Sequence, residues 1–166
     1  HFAVLIGDGA KSDTPLVRLH SQCITGDILG SLKCDCGDQL QAAMQLMADS
    51  SGGILVYLAQ EGRDIGLLNK MRAYALQDSG LDTVDANHAL GFHTDERLFM
   101  PAARILQALD VSKIQLITNN PDKISQLEQY GINVTARVPL ALETNPHNHN
   151  YLKTKKTRTG HLIDKI

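Results

Sequence analysis

Residues 52–80 read GGILVYLAQEGRDIGLLNKMRAYALQDSG, and this one stretch carries both halves of a strand–helix unit. Ile54 to Leu58 is a short apolar run behind a pair of glycines, with the length and flanks of a buried strand. After the turn bracketed by Gly62 and Gly66, apolar residues fall at Leu67, Leu68, Met71, Tyr74, Ala75 and Leu76. That spacing predicts an amphipathic helix, stopped at Gly80. Lys70 and Arg72 read as its solvated face.

The same alternation extends in both directions. Residues 2–7 (FAVLIG) and 16–20 (LVRLH) read as strands, and the period of two puts Arg18 and His20 on one face, where a site is expected. Asp38 to Met47 has helical spacing at Leu40, Ala43, Met44 and Met47, with a Gly-Asp start suited to an N-cap. Past Gly80, a loop rich in Asp, Asn and His covers 82–97. A helix over about 98–109, a strand over 113–118, a helix with Pro121 near its first turn and a strand over 133–140 follow. Strands alternating with helices predict an α/β fold. The expectation is a single compact domain over 1–166, a mixed sheet with helices packed on it. The tail from residue 143, rich in Lys, Arg and His, is expected to be mobile or a lid.

With 166 residues, 43% hydrophobic and 20% charged, the chain can bury a core of its own. No apolar run nears the ~18 residues that would span a bilayer, so no membrane role is expected. A formal net charge of -2 offers no field to a polyanion. Nucleic acid is therefore disfavoured, while a small anion held by a few placed Arg and Lys stays open. Free thiols fit a reducing, cytoplasmic compartment. The chain opens on His1 directly before a strand, from which a piece of a longer polypeptide or a trimmed stand-alone enzyme is expected.

All three cysteines, Cys23, Cys34 and Cys36, fall in one polar stretch, HSQCITGDILGSLKCDCGDQ. Structural zinc is closed by four side chains, whereas catalytic zinc keeps three and leaves a position for water. Three clustered thiols therefore point to a metal that does chemistry. A disulfide plus a spare thiol, or three small polar-apolar fillers, are the alternatives, and the Cys-Asp-Cys pair is too close to bridge comfortably. The seven histidines show no metal spacing that competes. His20 and His88 are within the segments where a substrate would be met, though satisfied structural histidines are the default.

Three segments together resemble the GTP cyclohydrolase II family: RLHSQCITGDILGSLKCDCG, QEGRDIGLLNKMRAYALQDSGLDTVDAN, and the pair LGFHTDER with TNNPDK. The resemblance covers nearly the whole chain. It implies a zinc enzyme that opens the guanine ring of GTP, releasing formate and pyrophosphate in the first step of riboflavin synthesis, with Zn²⁺, Mg²⁺ and a homodimer. By motif it makes Cys23, Cys34 and Cys36 the zinc ligands. It places Arg18, Leu19, His20, Ser21, Gln22, Gln39, Glu61, Gly62, Arg63, Thr83, Thr118 and Lys123 against GTP. Asp95 takes the part of proton acceptor, Arg97 of nucleophile toward phosphate, and Tyr74 of active-site tyrosine. A dihydroxybutanone phosphate synthase is often fused ahead of this point in the family. Gln22 stands where the family often has Glu, Ala59 where Arg is common, and Asp64 where Gly or Asn is usual.

The chemistry accounts for several of these types. Ring opening needs water added at guanine C8, which a Lewis-acidic metal with an open position can activate. Asp95 is a candidate base if its loop folds over the site; it equally suits an N-cap for the helix that follows. Arg63 in a Gly-flanked turn before a helix is a good anion clamp. Lys123, in the first turn of a helix after a strand, is where α/β sheets often meet ligands, or else a surface lysine. A guanidinium has no free lone pair, so stabilising phosphate charge is the easier task for Arg97. A zinc- and GTP-binding module altered in its catalysis is the second functional reading.

Overall fold

A computed structural model describes residues 1–140 and 144–163. Residue 143 and residues 164–166 of the tail lie outside the described residues. The chain is α/β with a five-stranded mixed sheet, as expected. Within it, packing gathers the described residues into two compact units that alternate along the chain. One comprises His1–His20, Gln39–Leu58 and Leu98–Leu140; the other comprises Ser21–Asp38, Ala59–Arg97 and the described part of Ala141–Ile166.

The first unit holds the sheet. Its strands are β1 (Phe2–Gly7), β2 (Leu16–Ser21), β3 (Gly52–Leu58), β4 (Lys113–Ile117) and β5 (Asn133–Val138), in the order β1-β3-β2-β4-β5. β1 runs antiparallel to β3, and β4 runs parallel to both β2 and β5. The β1–β3 pairing ends with Gly7 opposite Gly52. A Cβ on Gly52 would stand 1.9 Å from Ile6 O, and its φ of +115° is closed to other residues.

Alternation along the strands sorts the core into two faces. Val17, Leu19, Ile54, Val56, Leu58, Ile114 and Leu116 pack against Phe99, Ala102, Ala103, Leu106 and Leu127, supplied by α4 (Met100–Ala108), α5 (Pro121–Gln129) and the residue before α4. On the other face Ile117 meets Ala43 and Met47 of α1 (Cys36–Asp49), with Leu16 and Val138 alongside. Arg18 and His20 share that second face, as predicted, but both are buried because β2 is an interior strand.

The second unit contains α2 (Gly66–Asp78), α3 (Thr83–Ala89) and α6 (His149–Thr159). Two expectations change here, and the tail gains an element. The apolar stripe of α2 is turned outward: Leu67, Leu68 and Met71 are exposed, while Lys70, read as solvated, is buried with Ala73. The reason is charge, since Lys70 is drawn inward by Glu61 and Cys23. The Asp/Asn/His-rich loop contains α3, started by Asp82, whose carboxylate accepts the N–H groups of Val84 and Asp85 at 2.8 Å. The tail expected to be mobile or a lid carries α6, with Leu152 and Lys155 buried and Arg158 paired to Asp82 and Asp85. No helix among the described residues is long and apolar enough to cross a membrane.

Candidate active site

The cysteine loop is built around Cys23. Its backbone N–H is taken by Asp27 Oδ2 at 3.0 Å, and its carbonyl accepts the Asp27 N–H at 2.7 Å. A wide turn over Ile24–Ile28 closes with Leu29 N–H on Ile24 O at 3.2 Å, and such five-residue turns recur at functional sites. The turn carries Gly26 across the thiols. A Cβ there would sit 2.9 Å from Cys34 Sγ and 3.2 Å from Cys23 Sγ, so only glycine leaves the sulfurs their room. Cys34 and Cys36 arrive at the start of α1. The helix begins two residues earlier than the Gly-Asp signal suggested, at Cys36 itself, whose N–H is donated to Cys34 Sγ. Helix N-termini stabilise thiolates.

The three Sγ atoms lie within 4.8 Å of one another. Cys23 and Cys34 are 3.7 Å apart at sulfur, and the cysteines are free of disulfides. Metal–sulfur bonds of about 2.3 Å at tetrahedral angles place sulfurs roughly 3.8 Å apart, so the spacing suits a metal ion. The thiols are not equivalent. Donation from Cys34 and Cys36, with Lys70 and Thr25 adding to it, pulls the Cys23 pKa far below the ordinary thiol range against the opposing effect of burial. Cys34 and Cys36, which give those hydrogen bonds, are raised.

Around the loop the polar groups are closely spent. Glu61 Oε2 accepts Ile24 N–H at 2.7 Å; its Oε1 accepts Gly62 N–H at 3.0 Å and Lys70 Nζ at 2.8 Å. Glu61, expected as a nucleotide contact, thus also braces the cysteine loop. Burial works to lower the Lys70 pKa, but hydrogen bonds to Glu61 and Cys23 overcome it and hold the ammonium charged. Tyr74, one turn on, is hydrogen-bonded to Thr25, and burial raises its pKa so that it stays a neutral phenol. On the other side, Asp35 between the two later cysteines forms a buried ion pair with Lys155 of α6 at 2.7 Å. Tyr151 lies under the same ammonium, 4.5 Å from the ring centre.

The phosphate candidates form a second cluster in this unit. Glu61 to Gly66 turns through left-handed backbone at Gly62, Arg63, Asp64 and Gly66. Arg63 Nη1 donates to Thr94 O at 2.9 Å, and Glu96 N–H donates to Arg63 O at 3.2 Å, fastening the turn to the 94–97 segment. Asp95 is not an N-cap: α4 starts at Met100, behind Phe99, whose N–H is taken by Gln126 Oε1 at 2.9 Å. Asp95 instead accepts from Arg97 at backbone N–H (3.1 Å), Nε (2.8 Å) and Nη2. Burial would raise the Asp95 pKa, but the guanidinium overrides it and keeps the group below the usual carboxylate range. The carboxylate in turn keeps Arg97 firmly protonated despite burial. Arg97 Nη1 also donates to Ser21 Oγ at 3.2 Å. Gln22 is half-buried, and Thr83 opens α3 beside the capping Asp82.

The remaining expected residues are in the sheet unit. Arg18 donates to Ile117 O at 3.1 Å and to Gln39 Oε1. His20 stacks on Tyr57 with ring centres 5.5 Å apart. The Leu19 side chain belongs to the core, and its carbonyl accepts Lys123 Nζ at 2.8 Å, so Lys123 is no surface lysine. Thr118 is buried, its Oγ1 accepting Asn120 N–H at 3.0 Å. Lys70, Thr25 and Lys155 escaped the sequence reading. Lys70 could have been found from position: it shares a helical face with Ala73 and Tyr74, three and four residues on.

The family model described as GTP cyclohydrolase II matches residues 1–139. Among curated relatives, the GTP cyclohydrolase-2 of Hamiltonella defensa is 55% identical over 99% of this chain and 84% of its own length. That of Pectobacterium atrosepticum is 53% identical over 99% of this chain and 83% of its own. The protein of the same name from Azospirillum brasilense is 51% identical over 98% of this chain, which spans 42% of that longer relative.

Proposed function

Since this chain belongs to the GTP cyclohydrolase II family, we propose that it is a zinc-dependent hydrolase that opens the imidazole ring of GTP. The products are formate, pyrophosphate and 2,5-diamino-6-(5-phosphoribosylamino)pyrimidin-4(3H)-one, in a cytoplasmic first step of riboflavin synthesis, with Mg²⁺ on the triphosphate and a homodimer as the assembly. The observation that carries the reading is the thiol trio, with sulfurs within 4.8 Å, in the same compact unit as the Asp95–Arg97 pair.

Cys23, Cys34 and Cys36 would hold the zinc, which when bound supplies Lewis acidity and leaves a fourth position open. Arg97 supplies fixed positive charge for the phosphates, because Asp95 holds both its geometry and its proton. A guanidinium so firmly protonated serves as a charge stabiliser and not as a nucleophile. Asp95, with its oxygens occupied by Arg97 and its pKa lowered, is a weak proton acceptor until a substrate displaces those bonds. The Arg63 turn adds a second cation, and Mg²⁺ offsets the rest of the triphosphate charge. Tyr74 stays protonated and can donate a hydrogen bond.

Incubating the chain with GTP, Mg²⁺ and Zn²⁺ should give formate, pyrophosphate and the pyrimidine together. Cys34→Ser should lose zinc and formate release, since a hydroxyl is a far poorer ligand than a thiolate. Formate release at the unmodified rate by a zinc-free Cys34→Ser protein would overturn the reading.

A further inference from the structure

Lys70 reaches inward from α2 with its side chain 10% exposed, and its Nζ meets three acceptors. Glu61 Oε1 and Thr25 Oγ1 are each at 2.8 Å, and Cys23 Sγ is at 3.0 Å. An ammonium has three N–H donors, so none remains for a substrate. Its position is fixed from behind, because Glu61 is itself held by the N–H groups of Ile24 and Gly62. A buried ion pair gains little over apolar packing of the same volume, so this cation is an expensive choice if folding were its only use. Besides the neighbouring thiols and Thr25, Cys23 also receives a longer donation from Gly26 N–H at 3.4 Å. Among the described residues, the donors at this sulfur therefore include one full charge and one backbone dipole.

We infer that Lys70 is a positioning residue for the metal, which draws electron density from the Cys23 thiolate and so strengthens the bound ion as a Lewis acid. Three thiolates around a divalent ion leave a formal charge of -1, which weakens the ion's pull on a fourth ligand. A hydrogen bond from an ammonium lowers the energy of the sulfur lone pair and offsets part of that charge. Glu61 neutralises Lys70 at longer range, so the effect is aimed at Cys23 and is not a general field. Outer partners of metal ligands act in this way on affinity and reactivity. The inference rests on the thiols holding a metal ion, and cobalt separates the two claims.

Metal-free protein titrated with Co²⁺ should develop the intense near-ultraviolet thiolate-to-cobalt band, saturating at one equivalent. Absence of that band in the parent chain would sink the metal reading itself. Lys70→Met should shift the band to longer wavelength, because a sulfur no longer accepting the charged N–H gives up an electron more easily. Glu61→Gln/Lys70→Met, which leaves no buried carboxylate unpaired, should shift it likewise against Glu61→Gln alone. Both should bind Co²⁺ at least about tenfold more weakly. Lys70→Arg, which keeps a charged donor, should restore most of the band position. A double variant with unchanged wavelength and unchanged Co²⁺ affinity would overturn the role of Lys70 while the parent's band upheld the metal site.

Discussion

The two compact units bury different materials. In the sheet unit two apolar clusters line the two faces of the strands, and buried Arg18 and Lys123 each donate to a backbone carbonyl. In the other unit the buried apolar residues are few and scattered, among them Ile65, Ala73, Val84, Ala86 and Leu152. Its interior is joined by ion pairs instead: Glu61–Lys70, Asp35–Lys155 and Asp95–Arg97. Apolar burial stabilises at roughly 25 cal/mol per Å², while a buried ion pair must first recover its desolvation cost. Each of these pairs also adjoins a candidate metal ligand or a phosphate candidate. The sheet unit thus supplies stability, and the other gives some up to keep fixed charges where the chemistry needs them.

The largest test of that division sets one substitution in each unit side by side. Leu106→Ala, in the fully buried face of α4, should cost about 3–5 kcal/mol by urea unfolding, and no partner change restores it. The folded fraction should still bind one equivalent of metal. Lys155→Met should cost about 3 kcal/mol, because Asp35 is left buried and unpaired. Asp35→Leu/Lys155→Met should recover most of that loss while still weakening metal binding, since Asp35 lies between Cys34 and Cys36. If the double variant stays as unstable as the single one, the ion pairs stabilise as a core does and the contrast between the units fails.

The contrast also explains what could be read in advance. All five strands and the helices over 36–49, 66–78, 100–108 and 121–129 follow from apolar period and Gly or Pro punctuation. Those signals report apolar burial. They put Lys70 on the solvated face and do not report the burial of Lys155 or Glu61, because partners elsewhere in the chain decide it. The same blindness put the Leu67, Leu68 and Met71 stripe of α2 inside. In α6, Lys155 and Arg158 are paired with Asp35 and Asp82, contacts that composition does not report. The thiol trio was legible because Cys is rare and its ligand chemistry narrow. The tie between Asp95 and Arg97 was not, since either residue has a common structural use.

Acid should separate the units further. His161 follows α6 and bonds Thr159; burial first, then Lys155, Arg63 and Arg97, lower its pKa to about 4. The folded state therefore keeps it neutral while the unfolded chain protonates near the ordinary value of about 6.5. Its contribution is fully present above that pH and is lost as pH falls toward 4, because the unfolded state then binds the extra proton. The effect is on the order of 2–3 kcal/mol across that window. Unfolding free energies at pH 7 and 4.5 should differ less in His161→Gln than in the parent. An identical difference in both would show that α6 does not exclude the charged imidazole.

The smallest expected effect is a strain comparison between matched positions. Described residues other than glycine with left-handed backbone include Asp64 (φ 74°) in the Arg63 turn and Asp110 (φ 58°) just past α4. Glycine relieves that conformation but loses more entropy on folding, so each Asp→Gly change should stabilise by only about 0.5–1 kcal/mol. In a chain of this length that raises Tm by roughly 1–4 °C. The two should part in function. Asp64 is exposed and next to Arg63, the candidate phosphate cation, so removing its charge should lower KM for GTP by about two- to fivefold, the worth of an exposed charge pair. Asp110→Gly, at the end of a helix in the sheet unit, should gain the same stability with KM unchanged. Asp64→Asn isolates the two causes, since it removes the charge and keeps the side chain. If KM falls in Asp64→Gly but not in Asp64→Asn, backbone strain at position 64, and not the carboxylate, limits nucleotide binding.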